Sequence, residues 1–287
     1  MQGLSSIALA LGAAALFALT SALQHRSATN ESAHRVGDPR LLLRLLGRPL
    51  WLSSLLSNGG AVALQVLALR SGTLVLVQSL LLSSIILALP LEAALNRRTL
   101  ARRQLLGATL ATVGLALFVV SARPAAGITV PSPGTWSLVL IASVAVVLGC
   151  LAGARKSTGH LRAVLLGLAT GVMYGLAAAL FKTCSRQLTH PGALLSDWPV
   201  YLLVAVGAIG VVLNQNVYQA GMLAPGLTSL TLAEPITAVA IGTTAFGERL
   251  HLSPSSLAAF AVAALLIVAG LWLITTTSPR PGTEARW

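Results

Sequence analysis

The chain has 287 residues, 55% of them hydrophobic and only 9% charged, with a mean hydropathy of +0.83. A soluble domain carries roughly 25% charged residues, so the composition excludes an ordinary water-soluble fold and points to an all-α polytopic membrane protein, a single domain over 1–287. The formal net charge of +12 lies in short loops between apolar runs, where the positive-inside rule accounts for it and no nucleic-acid partner is implied.

A membrane-spanning helix needs about 20 mostly apolar residues. Nine segments come close: 4–24, 50–69, 72–95, 104–122, 136–153, 161–181, 200–219, 226–246 and 255–277. The first follows an uncharged Met1-Gln2-Gly3. It lacks the basic start and cleavage site of a secretory signal and reads as a retained span.

The loop from His25 to Pro49 is the longest. Arg40, Arg44 and Arg48 recur every fourth residue among leucines, which predicts a short interfacial helix with its basic face on anionic lipid. The tail 278–287 reads as short and unstructured.

Loop charges predict the orientation. Fourteen of the nineteen Lys and Arg fall in the loops on one side: Arg26 to Arg48, Arg97 to Arg103, Arg155 to Arg162, and Arg280 and Arg286. The other side holds Arg70, Arg123, Lys182, Arg186 and Arg249. The N-terminus is therefore expected outside and the C-terminus inside the cytoplasmic membrane.

A weak internal repeat relates the halves. A shift of 150 residues sets Gln215 on Gln65 and Leu250 on Leu100, and a shift of 157 aligns the run from Tyr174 to Lys182 with that from Phe17 to His25. Matched spans are five apart, so the repeats have opposite topology. The expected plan is 4 + 1 + 4, with a first repeat over 4–122, a linking span at 136–153 and a second repeat over 161–277. Inverted repeats are a common plan for secondary transporters, whose substrate site lies near mid-membrane.

Polar residues inside spans are the candidate functional residues. Of seven acidic residues only Glu92 and Glu234 fall within spans. Glu234 stands about 12 Å from the inner end of its helix and Glu92 roughly 5 Å from the end of its own. Glu92 is therefore close enough to snorkel toward Arg97 and Arg98. Glu234, followed by the helix breaker Pro235, is the principal candidate for binding substrate or a coupling proton.

Asn214, Gln215 and Gln219 close the seventh span, and amides there serve equally as interhelical glue. Gln65 and Gln78 are their first-repeat counterparts, and Tyr174 is a candidate cavity wall. Gly167, Gly171 and Gly175 recur every fourth residue, as do Gly149 and Gly153, a spacing that favours close helix packing. Lys182 reads as snorkelling at the outer surface, and Glu248 as an outer corner residue that ends its helix. Cys150 and Cys184 read as small core residues. No phosphate loop, metal triad or nucleophile–base pair stands out, so neither an enzyme nor a bound cofactor is expected.

The run AEPITAVAIGTTAFGERL at 233–250, followed by a last span containing Gly270, resembles the EamA-like part of the drug/metabolite transporter superfamily. LQHR at 23–26, RPLWL at 48–52 and YQAG at 218–221 are similar to a Leu/Ala-rich actinobacterial branch of it. That family typically has ten spans in two five-span inverted repeats. This chain has nine, and Ser84-Ile85 stand where the first repeat would carry the Glu-Pro pair. The resemblance implies a helical bundle with alternating access that moves small metabolites or drug-like solutes.

A nine-span layout is also similar to magnesium transporters of the NIPA type, in which case Glu92 and Glu234 would be the metal-facing acids. A non-transporting membrane scaffold is the third reading. The expected partners are membrane lipids and a small-molecule substrate.

Overall fold

The computed structural model describes residues 2–29, 49–95, 101–128, 130–185, 196–219 and 223–277. These form ten helical segments: α1 (Gln2–Thr29), α2 (Pro49–Ser71), α3 (Leu74–Leu81), α4 (Ser83–Leu95), α5 (Arg102–Ala122), α6 (Pro133–Lys156), α7 (Gly159–Ser185), α8 (Trp198–Gln219), α9 (Leu223–Thr244) and α10 (Pro254–Thr277). Among the described residues the only β-type pairing is a single isolated bridge between Ala125 and Arg249. The expected interfacial helix around Arg40 to Arg48 and the tail lie outside the described residues.

Among the described residues, seven stretches are long and apolar enough to cross a membrane: Leu4–Leu23, Leu52–Ser71, Leu74–Leu91, Arg102–Ala122, Pro133–Lys156, Gly159–Ser185 and Pro254–Ile274. The protein is thus an all-helical membrane protein. The expected spans at 200–219 and 226–246 are also helical, but the apolar part of α8 is shorter, at Trp198–Asn214. α9 carries Glu234, Pro235 and several Ser and Thr, which dilute its hydropathy.

α7 is the centre of the bundle. Nearly all of its residues from Leu166 to Ser185 are buried, and it packs against α9, α8, α6 and α2. Backbone alone lets α9 lie this close. A Cβ on Gly171 would stand 2.5 Å from the Ala233 Cβ and 2.6 Å from the Leu230 carbonyl. One on Gly175 would stand 2.7 Å from the Glu234 carbonyl. The Ser229 hydroxyl donates across this seam to the Val164 carbonyl at 3.0 Å. The α7 glycine repeat is therefore a packing track, as its spacing predicts, whereas Gly149 on α6 has nothing within 4 Å of where its Cβ would stand, so the same spacing makes no close backbone contact there.

A second intimate pair, α5 with α10, was not singled out from the sequence. Gly107 and Gly270 abut each other's carbonyls, and Gly114 abuts that of Ala263. Phe118 and Phe260 lie 5.5 Å apart between ring centroids at the same seam.

The expected span 72–95 is interrupted. At Leu82 the bonding tightens to i→i+3, with Leu82 N–H donating to Ser79 O at 3.3 Å and Ile85 N–H to Leu82 O at 3.2 Å. Ser79 donates back to Val75 O at 2.7 Å and Ser83 to Leu80 O at 2.6 Å. Such hydroxyl back-bonding bends helices, and a short 3₁₀ turn inside a helix often marks a hinge. α9, by contrast, runs unbroken through Pro235.

Candidate functional site

Two carboxylates define the candidate site, and the structure reverses the rank that the sequence gives one of them. Glu248 is not a surface corner. It is buried, with its side chain wholly inaccessible and bonded to Lys182, itself only 9% exposed. Lys182 does not snorkel: its ammonium turns inward to Glu248 Oε1 and stands 4.7 Å over the Phe246 ring. Both corrections have one cause. Segments 123–128 and 245–251 cross this end of the bundle and exclude water from it.

Those segments are fastened to each other. Ala125 N–H donates to Arg249 O at 2.9 Å, and Arg249 N–H returns the bond at 3.2 Å. Ile128 N–H donates to Phe246 O at 2.7 Å, and His251 N–H to Ala122 O at 2.9 Å. Gly127 lies directly against the backbone of Phe246 and Gly247, where no side chain fits. Gly247 itself has φ +61, the left-handed turn that carries the chain from α9 into Glu248.

Glu248 also completes a helix terminus. The first turn of a helix leaves its N–H groups unbonded. In α3, Leu74 N–H donates to Glu248 Oε1 at 2.6 Å and Val75 N–H to Oε2 at 2.9 Å. Leu76 N–H takes the Thr73 hydroxyl oxygen at 3.1 Å, and Val77 N–H begins the ladder on Thr73 O. Every donor of that turn is accounted for. The positive end of the helix and Lys182 together neutralise one carboxylate. α3, α7 and the end of α9 are thereby tied at one point.

Glu234 is the opposite case. It is half-buried in the middle of α9, and no hydrogen-bond or ion-pair partner for its carboxyl is found among the described residues. Its helix packs on α7 through Gly171 and Gly175, one residue from Tyr174. The Tyr174 ring leans on Gly210 of α8, where a Cβ would meet Cε1 at 2.7 Å. One turn further along α8, the Asn214 Oδ1 is buried without a donor among the described residues. Three of the sequence candidates, Glu234, Tyr174 and Asn214, thus fall on the mutually packed helices α7, α8 and α9.

Gln78 is 2% exposed on α3 with its Nε2 unpartnered among the described residues, and Gln65 is buried on α2. The side chains of Gln215, Gln219 and Glu92 lie outside the described residues. Among the described residues no three His, Cys, Asp or Glu gather as a metal site would require.

The break in the α3–α4 stretch and Pro235 are equally far in sequence from one helix contact. Val75 faces Gly242, and the two helices run in opposite directions from the Glu248 end. Moving about seven residues from that contact brings α3 to Leu82 and α9 to Pro235, roughly 10 Å into the bundle on both helices.

Sequence reasoning missed the Lys182–Glu248 pair, whose partners are 66 residues apart. One signal was present. Lys182 is followed by Thr-Cys-Ser before the first arginine, so its helix continues beyond the charge.

A cavity of about 180 Å³ opens beside this end, lined by Val130, Pro131, Pro133, Trp136, Thr183, Asp197, Trp198 and Pro199. Trp136 packs edge-on to Phe246 at 6.3 Å and to Trp198 at 5.6 Å between centroids. Its indole N–H is buried and unpartnered among the described residues.

The chain is 32% identical over 283 residues to an uncharacterized protein of Corynebacterium glutamicum, a match that covers 95% of this chain and 98% of that protein. No family model matches the chain. No solved structure matches it either.

Proposed function

The chain belongs to the same family as that Corynebacterium glutamicum protein, and from the geometry of its two carboxylates we propose that it is a secondary transporter of the drug/metabolite type. It carries a small metabolite or drug-like solute across the cytoplasmic membrane by proton coupling or exchange. The feature that carries the reading is that the Leu82 turn and Pro235 each stand seven residues from the Val75–Gly242 contact between two antiparallel helices. Transporter sites are characteristically built where a discontinuous helix meets its repeat-related partner near mid-membrane.

The repeat reading gains support from the packing. Under the 150-residue shift, Ser84, two residues past the Leu82 turn, matches Glu234. Two helix pairs matched by the repeat, α3 with α9 and α5 with α10, pack against each other. With α8 and α9 counted as crossings, the plan is nine spans as 4 + 1 + 4, N-terminus outside. The Lys182–Glu248 pair then closes the outer end, and Glu234 sits within reach of a solute entering between α7, α8 and α9.

In this mechanism Glu234 takes up a proton or the cationic group of the solute. Tyr174 and Asn214 border its path, with Gln215 and Gln219 on the same helix as Asn214 and Gln65 and Gln78 on the first repeat. An acid without a fixed partner inside an apolar bundle is suited to this, because its charge state is decided by what binds.

The test is flux in proteoliposomes under an imposed proton gradient. The parent protein should accumulate or release a solute in a gradient-dependent way, and Glu234→Gln should lose that dependence. Full pH-dependent flux in Glu234→Gln would remove the coupling role. Uptake driven by Mg²⁺ alone would move the protein to the divalent-cation reading, with Glu92 and Glu234 as its acids.

A further inference from the structure

Only Ser157 and Thr158 separate α6 from α7, and both helices are long and apolar enough to cross a membrane. Arg155 and Lys156 end the first, and His160 and Arg162 open the second. All four are exposed, and none has a hydrogen bond or ion pair among the described residues. The corner is held in place by packing: a Cβ on Gly153 would meet Leu165 Cδ1 at 3.0 Å across the two helices, and Ala154 and Ala163 are buried. Each of the four lies within four residues of the turn, about 6 Å along its helix. The headgroup layer is roughly 5–7 Å deep on each face of a bilayer. These cations are therefore confined to the depth of lipid phosphates.

No acid is placed to neutralise them. Glu234 lies beside Gly171, about 13 Å along α7 from Arg162. Glu248 and Asp197 lie with Lys182 and Thr183 at the other end of α7, roughly 30 Å away. Glu92 is on α4, which packs against α1, α3 and α5. Glu31, Asp38 and Glu284 fall in the stretches 30–48 and 278–287, and each stretch holds more arginines than acids. Neither can neutralise the corner without leaving cations of its own. The charges do not serve α7 either, because a cation near a helix N-terminus opposes the dipole. Between His160 and Arg162, Leu161 is 56% exposed, an apolar side chain where acyl chains begin.

We propose that this corner docks the headgroup of an anionic phospholipid. Arg155, Lys156 and Arg162 bind its phosphate, and Leu161 lies against its acyl chain. The assignment asks nothing of Glu234 and is independent of the transporter reading.

The full chain in dodecyl maltoside is titrated with phosphatidylglycerol and, separately, with phosphatidylcholine, and the retained lipids are counted by native mass spectrometry. Phosphatidylglycerol should be retained saturably, and phosphatidylcholine at least about tenfold more weakly. Replacing one of the three cations by Gln should weaken phosphatidylglycerol about fivefold, and Arg155→Gln, Lys156→Gln and Arg162→Gln together about a hundredfold. The control replaces Arg70, Arg123 and Arg249, exposed arginines elsewhere, by Gln. It changes net charge equally and should leave binding within about twofold, since distant exposed charges are screened. Melting temperatures in lipid-free detergent check folding, and the single changes carry the test if the triple variant does not fold.

Equal loss in the control would reduce the effect to net charge and overturn the site. So would equal retention of the two lipids, or a triple variant that binds as tightly as the parent. Displacement of phosphatidylglycerol by inorganic phosphate or by polyglutamate at matched charge would assign the corner to a free anion or an acidic peptide and overturn lipid docking. Lipid retention as expected, with no gradient-dependent flux of any solute, leaves the corner standing and removes only the transporter reading.

Discussion

Glu248 and Glu234 lie 14 residues apart on one stretch of chain, yet their surroundings are opposite. Glu248 is fully buried and receives two backbone N–H groups and an ammonium. Glu234 is half-buried with no partner among the described residues. The difference teaches that one stretch of chain can hold a fully bonded acid and an unbonded one. The acid with both oxygens bonded ties three stretches of chain together, and the other has no partner among the described residues.

The largest expected effect falls on the satisfied acid. Lys182→Ala leaves an uncompensated charge in the interior and should cost about 3–5 kcal/mol of stability in detergent, read by thermal unfolding. The double change Lys182→Met with Glu248→Gln removes the stranded charge. It should recover only part of the loss, because a single amide oxygen cannot serve both Leu74 and Val75 N–H, leaving about 1–3 kcal/mol unrecovered. A Lys182→Ala protein as stable as the parent would erase the contrast between the two acids.

Next comes the seam under Glu234. Gly171→Ala drives a methyl into Ala233 and the Leu230 carbonyl and should cost roughly 1–3 kcal/mol. Gly149, on α6, has open space where its Cβ would be, so Gly149→Ala should leave the melting temperature unchanged or raise it slightly. Equal effects at the two glycines would mean that α9 does not rest on the track. Thr73→Val removes only the cap of Leu76 and should cost about 1 kcal/mol, which tests whether Glu248 needs help in holding the α3 terminus.

The smallest structural effect is expected at Glu234. Glu234→Gln should shift stability by no more than about 0.5 kcal/mol while removing proton dependence from flux. A large loss of stability would make Glu234 a structural acid after all and collapse the comparison from the other side.

Much of the fold was legible in the sequence because lipid imposes a simple rule. Apolar runs of sufficient length became helices at all nine expected places, and the Gly167-Gly171-Gly175 spacing announced the α7–α9 seam. What escaped was tertiary. Lys182 and Glu248 both sit at span edges, where solvent exposure is the ordinary outcome, and only the crossing of segments 123–128 and 245–251 buries them. The turn at Leu82 lies in a leucine-rich run without Gly or Pro, so nothing local signals it. Pro235, which does signal a break, sits in a continuous helix packed along its length on α7. The polar residues on α7, α8 and α9 were found because charge and amides are scarce in such a composition. The cavity around Trp136 was not, since its lining comes from three separate stretches of chain.

The tie at Glu248 has a consequence for biogenesis. The α3 terminus leaves the ribosome 174 residues before the carboxylate that caps it, and Lys182 leaves 66 residues before. Until α9 has been inserted, the lysine and two backbone donors have no permanent partner, so the bundle must stay loose enough to admit the last arrival. Chains halted before Gly247 should therefore be more susceptible to membrane quality-control proteases than the full-length chain. The final latch is set by one of the last helices to reach the bilayer.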